Sequence, residues 1–256
     1  MSHENRTIID TGVASTLRTV IGQVVSGAGL ALMRGPAGIG KTFGLDLICD
    51  ELRAAGVIVI RVTGPEVIGG SISSFSKAVL TPYRIEAGST WDGVEAMFDL
   101  IAGYPFRAAG PKSVFIVDDA QVLKPSLLET IRGLWDRGDA ARQTMSSGKA
   151  FSCVLVGNDT FMSKGVAQRI AGFRPLRSRV THDVRLPRPN REEHAAFARL
   201  LFPDHPDLQD IVSGFGQVEG NLRAQNVAAR QARLNANGGE VTADHLRLAI
   251  KFMGGR

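Results

Sequence analysis

The chain has 256 residues, 44% hydrophobic and 21% charged, with a formal net charge of +5, which is long and apolar enough for one large domain plus a smaller appendage and excludes intrinsic disorder. No apolar stretch approaches the roughly 20 residues of a membrane span, and "MSHENRTIID" lacks the basic and apolar regions of a signal peptide, so a cytoplasmic protein without membrane association is the default expectation. Basic charge of this size permits nucleic-acid binding without requiring it.

In chain order, "VASTLRTVIGQVV" has the spacing of an amphipathic helix, and "GLALMRG" reads as a first buried strand. "KTFGLDLICDELRAA" predicts a helix closed by Gly56, and the β-branched run "VIVIRVT" a second strand. Helices are expected at "SISSFSKAVL" and "TWDGVEAMFDLIAG", then a third strand, "SVFIVDD", and a helix, "KPSLLETIRGLWDRG", with Pro125 in its first turn. "DAARQTMSSGKA" reads as a surface loop or frayed helix, "FSCVLVGND" as a fourth strand, and "VTHDVRL" as a short fifth. Uniformly apolar strands separated by helices predict an α/β fold with a parallel sheet covered on both faces. Cys49 and Cys153 fall in an apolar helix and an apolar strand, so buried reduced thiols are expected, not a disulfide or a metal site.

Beyond "LPRPN" only helix signals follow: "REEHAAFARLLF", "PDLQDIVSGF", "GNLRAQNVAARQARLNA", and "TADHLRLAIKFM" capped by Thr242. The proline pair Pro187 and Pro189 marks the expected boundary between an α/β domain at 1–188, with its N-terminal helix, and a helical domain at 189–256.

Chemistry enters where the first strand becomes a helix. "GPAGIGKT" comprises Gly35, Pro36, Ala37, Gly38, Ile39, Gly40, Lys41 and Thr42. Glycines at this spacing let backbone N–H groups wrap phosphates, and the following helix adds the positive end of its dipole. Lys41 is expected to reach the β- and γ-phosphates of a nucleoside triphosphate, and the Thr42 hydroxyl to ligate Mg²⁺. Asp118 and Asp119 close the third strand, where Asp118 is suited to hold the metal through its water shell and Asp119 to orient or deprotonate the attacking water. Asn158, at the end of the fourth strand, can report on the γ-phosphate. Thr160 is expected to cap the following helix.

A basic cluster follows: Lys164, Arg169, Arg174, Arg177, Arg179, Arg185, Arg188 and Arg191 against the single acid Asp183. Two functional readings stand beside that of a solvated face. An arginine there, Arg179 first and Arg177 second, can act in trans on a neighbour's γ-phosphate; several of the others can neutralise nucleic-acid phosphates. Arg223, in "GNLRAQ", can swing over the phosphates as the helical domain closes.

The order "GPAGIGKT", "FIVDDAQ", "LVGND", "LRSRV", "GNLR" resembles an AAA+ ATPase, with Walker A, Walker B, sensor 1, arginine finger and sensor 2 in sequence over roughly residues 12–253. Within that superfamily "DDAQVL", "LVGN" and the C-terminal stretch from "GNLRAQ" resemble the DNA-transposition ATPases of the phage Mu B type and the related transposon target-selection ATPases. The resemblance implies a P-loop parallel sheet followed by a small all-helical lid. It also implies ATP-dependent assembly on double-stranded DNA as a ring or helical filament, with recruitment of a transposase. The carry-over assigns Lys41 and Thr42 to phosphate and Mg²⁺, Asp118 and Asp119 to metal and water, Asn158 to sensing, Arg179 to the trans site and Arg223 to the lid. The family's usual acidic pair is Asp-Glu, so Asp119 implies slower turnover. The N-terminal helical DNA-binding domain of the phage protein has no counterpart in this sequence, which leaves DNA to the ATPase domain; in the family that surface follows the second strand, where Ser71, Ser73, Lys77 and Thr90 lie. An AAA+ ATPase acting on protein partners, and a nucleotide-gated scaffold with little hydrolysis, are the alternative functions.

Overall fold

The computed structural model describes residues 9–64, 70–103, 112–143, 150–161 and 173–254. By contact density the chain divides into two compact units. One joins the residues up to Thr16, the loop Pro36–Gly44 and Pro187 onward; the other holds Leu17–Gly35 and Leu45–Leu186.

The second unit is built on a five-stranded parallel sheet. β1 (Leu30–Arg34), β2 (Ile58–Thr63), β3 (Ser113–Asp118), β4 (Ser152–Gly157) and β5 (His182–Arg185) are ordered β2-β3-β4-β1-β5. β3 is thus two places from β1, with β4 between them. Every residue of β3 and β4 is buried, as a central parallel strand flanked on both faces requires. Leu30, Leu32, Ile60, Val62, Phe115, Val117 and Leu155 join one core with Phe75, Phe98, Ile131 and Trp135. The alternate residues Ala31, Met33, Val114, Ile116, Val154 and Val156 are buried too, so both faces of the sheet are covered. Edge-to-face pairs Phe75–Phe115 (6.2 Å) and Phe98–Phe151 (6.5 Å) tie the helical layer to the strands. β5 alternates half-buried with exposed residues, the pattern of an edge strand.

The intervening helices are α1 (Gly12–Gly27), α2 (Lys41–Ala54), α3 (Ile72–Leu80), α4 (Thr90–Ala102), α5 (Pro125–Gln143) and the short α6 (Phe173–Arg177). α5 runs past Gly138 to Gln143, so the start of the stretch read as a surface loop or frayed helix is helical; residues 144–149 lie outside the described residues. A Cβ at Gly138 would sit 3.2 Å from Ala150, a tight approach that glycine eases. Cys49 and Cys153 are buried free thiols, as expected, and burial pushes the Cys153 thiol up to about 12.

In the first unit α7 (Arg191–Leu201), α8 (Pro206–Glu219), α9 (Leu222–Asn235) and α10 (Ala243–Phe252) pack through Phe202, Leu208, Val212, Ala228, Ala232, Leu246 and Ala249. Asn190 and Thr242 close capping boxes at α7 and α10. α8 extends to Glu219, four residues beyond the Phe215 end that the sequence pattern suggested, and stops at Gly220 in the left-handed region. Its Gly216 is a close-approach position: a Cβ there would lie 2.3 Å from Cγ of Gln225. Gln225 is itself fully buried, its Oε1 2.7 Å from Nδ1 of the buried His194 and its Nε2 donating to the His194 carbonyl at 3.0 Å. Gly216→Ala is therefore expected to displace Gln225, break both bonds and destabilise the protein by about 1–3 kcal/mol; a thermal-denaturation midpoint equal to wild type would contradict this close packing.

Candidate nucleotide site

The phosphate-type loop leaves the C-terminal end of β1. Gly35, the last residue before it, donates its N–H to the Gly157 carbonyl at the end of β4 (3.2 Å), so the sheet fixes where the loop begins. Within the loop Gly38 (φ +80°) and Gly40 (φ +99°) occupy backbone conformations that glycine alone adopts without strain. Ile39 is buried beneath it, and Pro36 and Ala37 lie toward its surface. Lys41 opens α2; it is only 7% exposed, and its Nζ donates to the Pro36 carbonyl at 2.7 Å, across the mouth of the loop. Thr42 is exposed beside it.

The start of α9 rests on this loop. Leu222 and Arg223 both donate their N–H groups to the Gly38 carbonyl, at 3.0 and 3.1 Å, and Asn221 caps the helix by accepting from Ala224. A Cβ on Gly38 would come within 2.8 Å of Asn221 Oδ1 and 3.0 Å of Arg223 Cβ. Arg223 thus stands next to the phosphate loop, with its side chain exposed. A cavity of about 420 Å³ opens in the same unit, lined by Ile9, Thr11, Gly40, Phe43, Phe197, Leu200 and Leu222. Its largely apolar wall and size suit a nucleoside base. Neither the cavity nor Asn221 emerged from the sequence, because Ile9, Phe43 and Phe197 are far apart along the chain.

In the sheet unit the acidic pair ends β3. Asp118 is completely buried. Its Oδ1 accepts the Asp119 N–H at 2.9 Å, and its Oδ2 accepts from Nη2 of Arg61 on β2 at 3.0 Å. Nη1 of Arg61 reaches Asp46 of α2. Burial alone would lower the Arg61 pKa, but the bonds to Asp46 and the charge of Asp118 raise it, so the guanidinium stays charged. Arg61 was missed in the sequence, although a single charge inside "VIVIRVT" is a signal: a buried strand rarely holds an ion without a partner. Asp119 adopts the left-handed conformation (φ +50°), and its Oδ1 accepts from Gln121 Nε2 at 3.1 Å. Gln121 in turn accepts the Asn158 N–H through Oε1 at 3.1 Å, linking the ends of β3 and β4. The Asn158 amide oxygen is taken by the N–H and hydroxyl of Thr160 (3.1 and 2.9 Å). Thr160 here serves Asn158, and the helix it was expected to cap falls in residues 162–172, outside the described residues together with Lys164 and Arg169.

Both trans-acting candidates are tethered within their own chain. Arg179 makes a forked contact to Asp136 (3.2 Å from Nε and from Nη2), and Asp136 also holds Arg132. Arg177 pairs with Asp183 at 3.0 Å, and Asp183 also takes Arg34 at 2.5 Å. Of the DNA candidates, Ser71 is engaged in the capping box of α3 with Ser74, whereas Ser73, Lys77 and Thr90 are exposed; beside Thr90, Trp91 is 71% exposed.

The donor set fits Mg²⁺. Taken each in its own unit, the exposed Thr42 offers a hydroxyl and the buried Asp118 a carboxylate, both hard oxygen donors of the kind this ion takes alongside phosphates and water. No cluster of three or more His, Cys, Asp or Glu suited to an all-protein metal cage exists among the described residues.

A family model for the AAA domain matches residues 24–163, more than half the chain, from within α1 to just beyond Asn158. The chain belongs to the AAA domain family. Its AAA+ fold is also that of solved structures at low identity. The ORC2 protein of Aeropyrum pernix, determined in ADPNP–ADP complexes, matches with a TM-score of 0.68 at 17% identity over 98% of this chain and 70% of that one. Cdc6p of Pyrobaculum aerophilum matches at 0.70 and 14% identity, covering 98% and 69%. Domain III of the replication initiation protein DnaA of Thermotoga maritima matches at 0.60 and 17% identity, covering 97% and 95%. No curated protein matches in sequence. The AAA+ fold is a nucleotide-binding one, and its family is one of nucleotide-hydrolysing ATPases. No helix among the described residues is long and apolar enough to cross a membrane.

Proposed function

We propose that this AAA domain protein is an Mg²⁺-dependent ATPase that assembles on double-stranded DNA under control of its nucleotide, and that it serves DNA transposition as a target-selection factor that recruits a transposase. The observation that carries the nucleotide half is the loop from Gly35 to Thr42: two left-handed glycines, a buried lysine whose ammonium spans the mouth, and α9 hydrogen-bonded to the Gly38 carbonyl. Lys41 would neutralise the β- and γ-phosphates, exchanging the Pro36 carbonyl for phosphate oxygens. The motif resemblance assigns Thr42 and Asp118 each to the metal, which would supply charge neutralisation at the transferring phosphoryl group. Asp119 would orient the attacking water, steered by Gln121, and Arg223 would read the phosphates from the first turn of α9. The helices of residues 189–256 would act as the lid.

Support for DNA is of two kinds. The motif set resembles that of the Mu B type ATPases, and one structural neighbour is a replication initiation protein. Ser73, Lys77 and Thr90, with the exposed Trp91, form the surface assigned to DNA; the backbone N–H and carbonyl of Ser71 are taken up within α3, so its part there is to cap the helix. The test is binding of the full chain to a fluorescent duplex with ATP, ADP or no nucleotide, together with ATPase rates with and without that duplex. ATP-dependent binding, release with ADP and DNA-stimulated hydrolysis are expected; equal rates with and without DNA, and no retained duplex, would overturn the DNA reading in favour of an ATPase acting on protein. Asp119 supports a second reading, a nucleotide-gated scaffold with little turnover, because its carboxylate is one methylene shorter than glutamate and is already held by Gln121.

A further inference from the structure

Asp118 is a buried carboxylate whose proposed work is to serve a metal that comes and goes with nucleotide. A buried anion left without a countercharge is strongly destabilising, so the metal-free protein needs another cation in reach. Arg61 supplies it. It stands on β2, where the register pairs Thr63 with Asp118 and Arg61 with Ile116, and its guanidinium forks between two carboxylates. One prong meets Oδ2 of the fully buried Asp118 at 3.0 Å; the other meets Asp46, which is 61% exposed. The Asp119 N–H occupies the other oxygen of Asp118, so both are satisfied without a metal.

We propose that Arg61 is a positioning residue that stands in for the metal at Asp118: it holds the carboxylate in place in the metal-free protein, competes with Mg²⁺ for it, and is retained by Asp46 when Mg²⁺ with nucleotide takes over. Asp46 and Arg61 then set the Mg²⁺ requirement of the site from opposite directions. Removing Arg61 leaves Asp118 with its full charge for the metal. Removing the charge of Asp46 leaves Arg61 bound to Asp118 alone and so strengthens the competitor. This inference rests on the assignment of Asp118 to the metal.

The experiment is a Mg²⁺ titration of fluorescent ATP-analogue binding to the full chain, read without hydrolysis. Relative to wild type, the Mg²⁺ concentration for half-maximal binding should fall at least about fivefold in Arg61→Ala and rise by a similar factor in Asp46→Asn, as expected for gain and loss of one nearby charge at partial burial. Arg61→Lys should lie between Arg61→Ala and wild type. Asp46 is mostly exposed, so its variant tests the proposal even if Arg61→Ala does not fold, and the double variant Arg61→Ala, Asp118→Asn removes the uncompensated charge. A merely structural Arg61 would lower the melting temperature while leaving the Mg²⁺ midpoint in place in both variants, which would overturn the proposal. Asp118→Asn separates this failure from that of the underlying assignment. If Asp118→Asn leaves the Mg²⁺ dependence unchanged, Asp118 does not serve the metal; if it shifts the dependence while Arg61 and Asp46 variants do not, only the present inference fails.

Discussion

Lys41→Ala is expected to weaken ATP binding by roughly a hundredfold, the loss of one nearly buried charge-assisted contact to phosphate. The loop's amides would remain, since Gly38 and Gly40 set their directions and the Leu222 and Arg223 N–H groups hold the Gly38 carbonyl. Only the cation would be gone. In the free protein the ammonium donates to the Pro36 carbonyl, so its removal also breaks that hydrogen bond at the loop mouth. Equilibrium titration with a fluorescent ATP analogue, with circular dichroism as the folding check, gives the answer. A folded variant that binds within threefold of wild type would remove the loop from the nucleotide site.

Arg179→Ala is expected to bind ATP as wild type does and to hydrolyse it about a thousandfold more slowly, the scale of a trans-acting arginine in phosphoryl transfer. The variant should fold, because Asp136, which Arg179 grips at 3.2 Å, keeps Arg132 as its other partner. Mixing Arg179→Ala with Asp118→Ala is the decisive measurement. Each lacks what the other supplies, so subunits meeting in one assembly should regain part of the ATPase rate. If the mixture stays as inactive as its components, Arg179 acts within its own chain and its contact to Asp136 is structural.

The parts of this molecule legible in the sequence are those in which one segment decides its own conformation. "GPAGIGKT" fixes a loop because its glycines need left-handed angles and its lysine starts a helix, and the buried runs of β3 and β4 announce a parallel sheet without reference to anything else. What stayed hidden depends on meetings between distant segments. Gly138 and Gly216 look like helix breakers in one dimension; in the fold each is the gap through which Ala150 or Gln225 approaches. Arg61 reads as an intrusion in a strand until Asp46 and Asp118 are seen on either side of it. Gln121 belonged to a recognisable string, "DDAQVL", yet its role in joining Asp119 to Asn158 follows only from the adjacency of β3 and β4.

The two bonds from α9 to Gly38 are main chain to main chain. No side-chain replacement at Leu222 or Arg223 deletes the donors, short of proline, and none at Gly38 deletes the acceptor. A lineage can therefore rewrite the chemistry displayed by the helical bundle, including whatever partner it addresses, while the bundle goes on feeling each movement of the glycine turn.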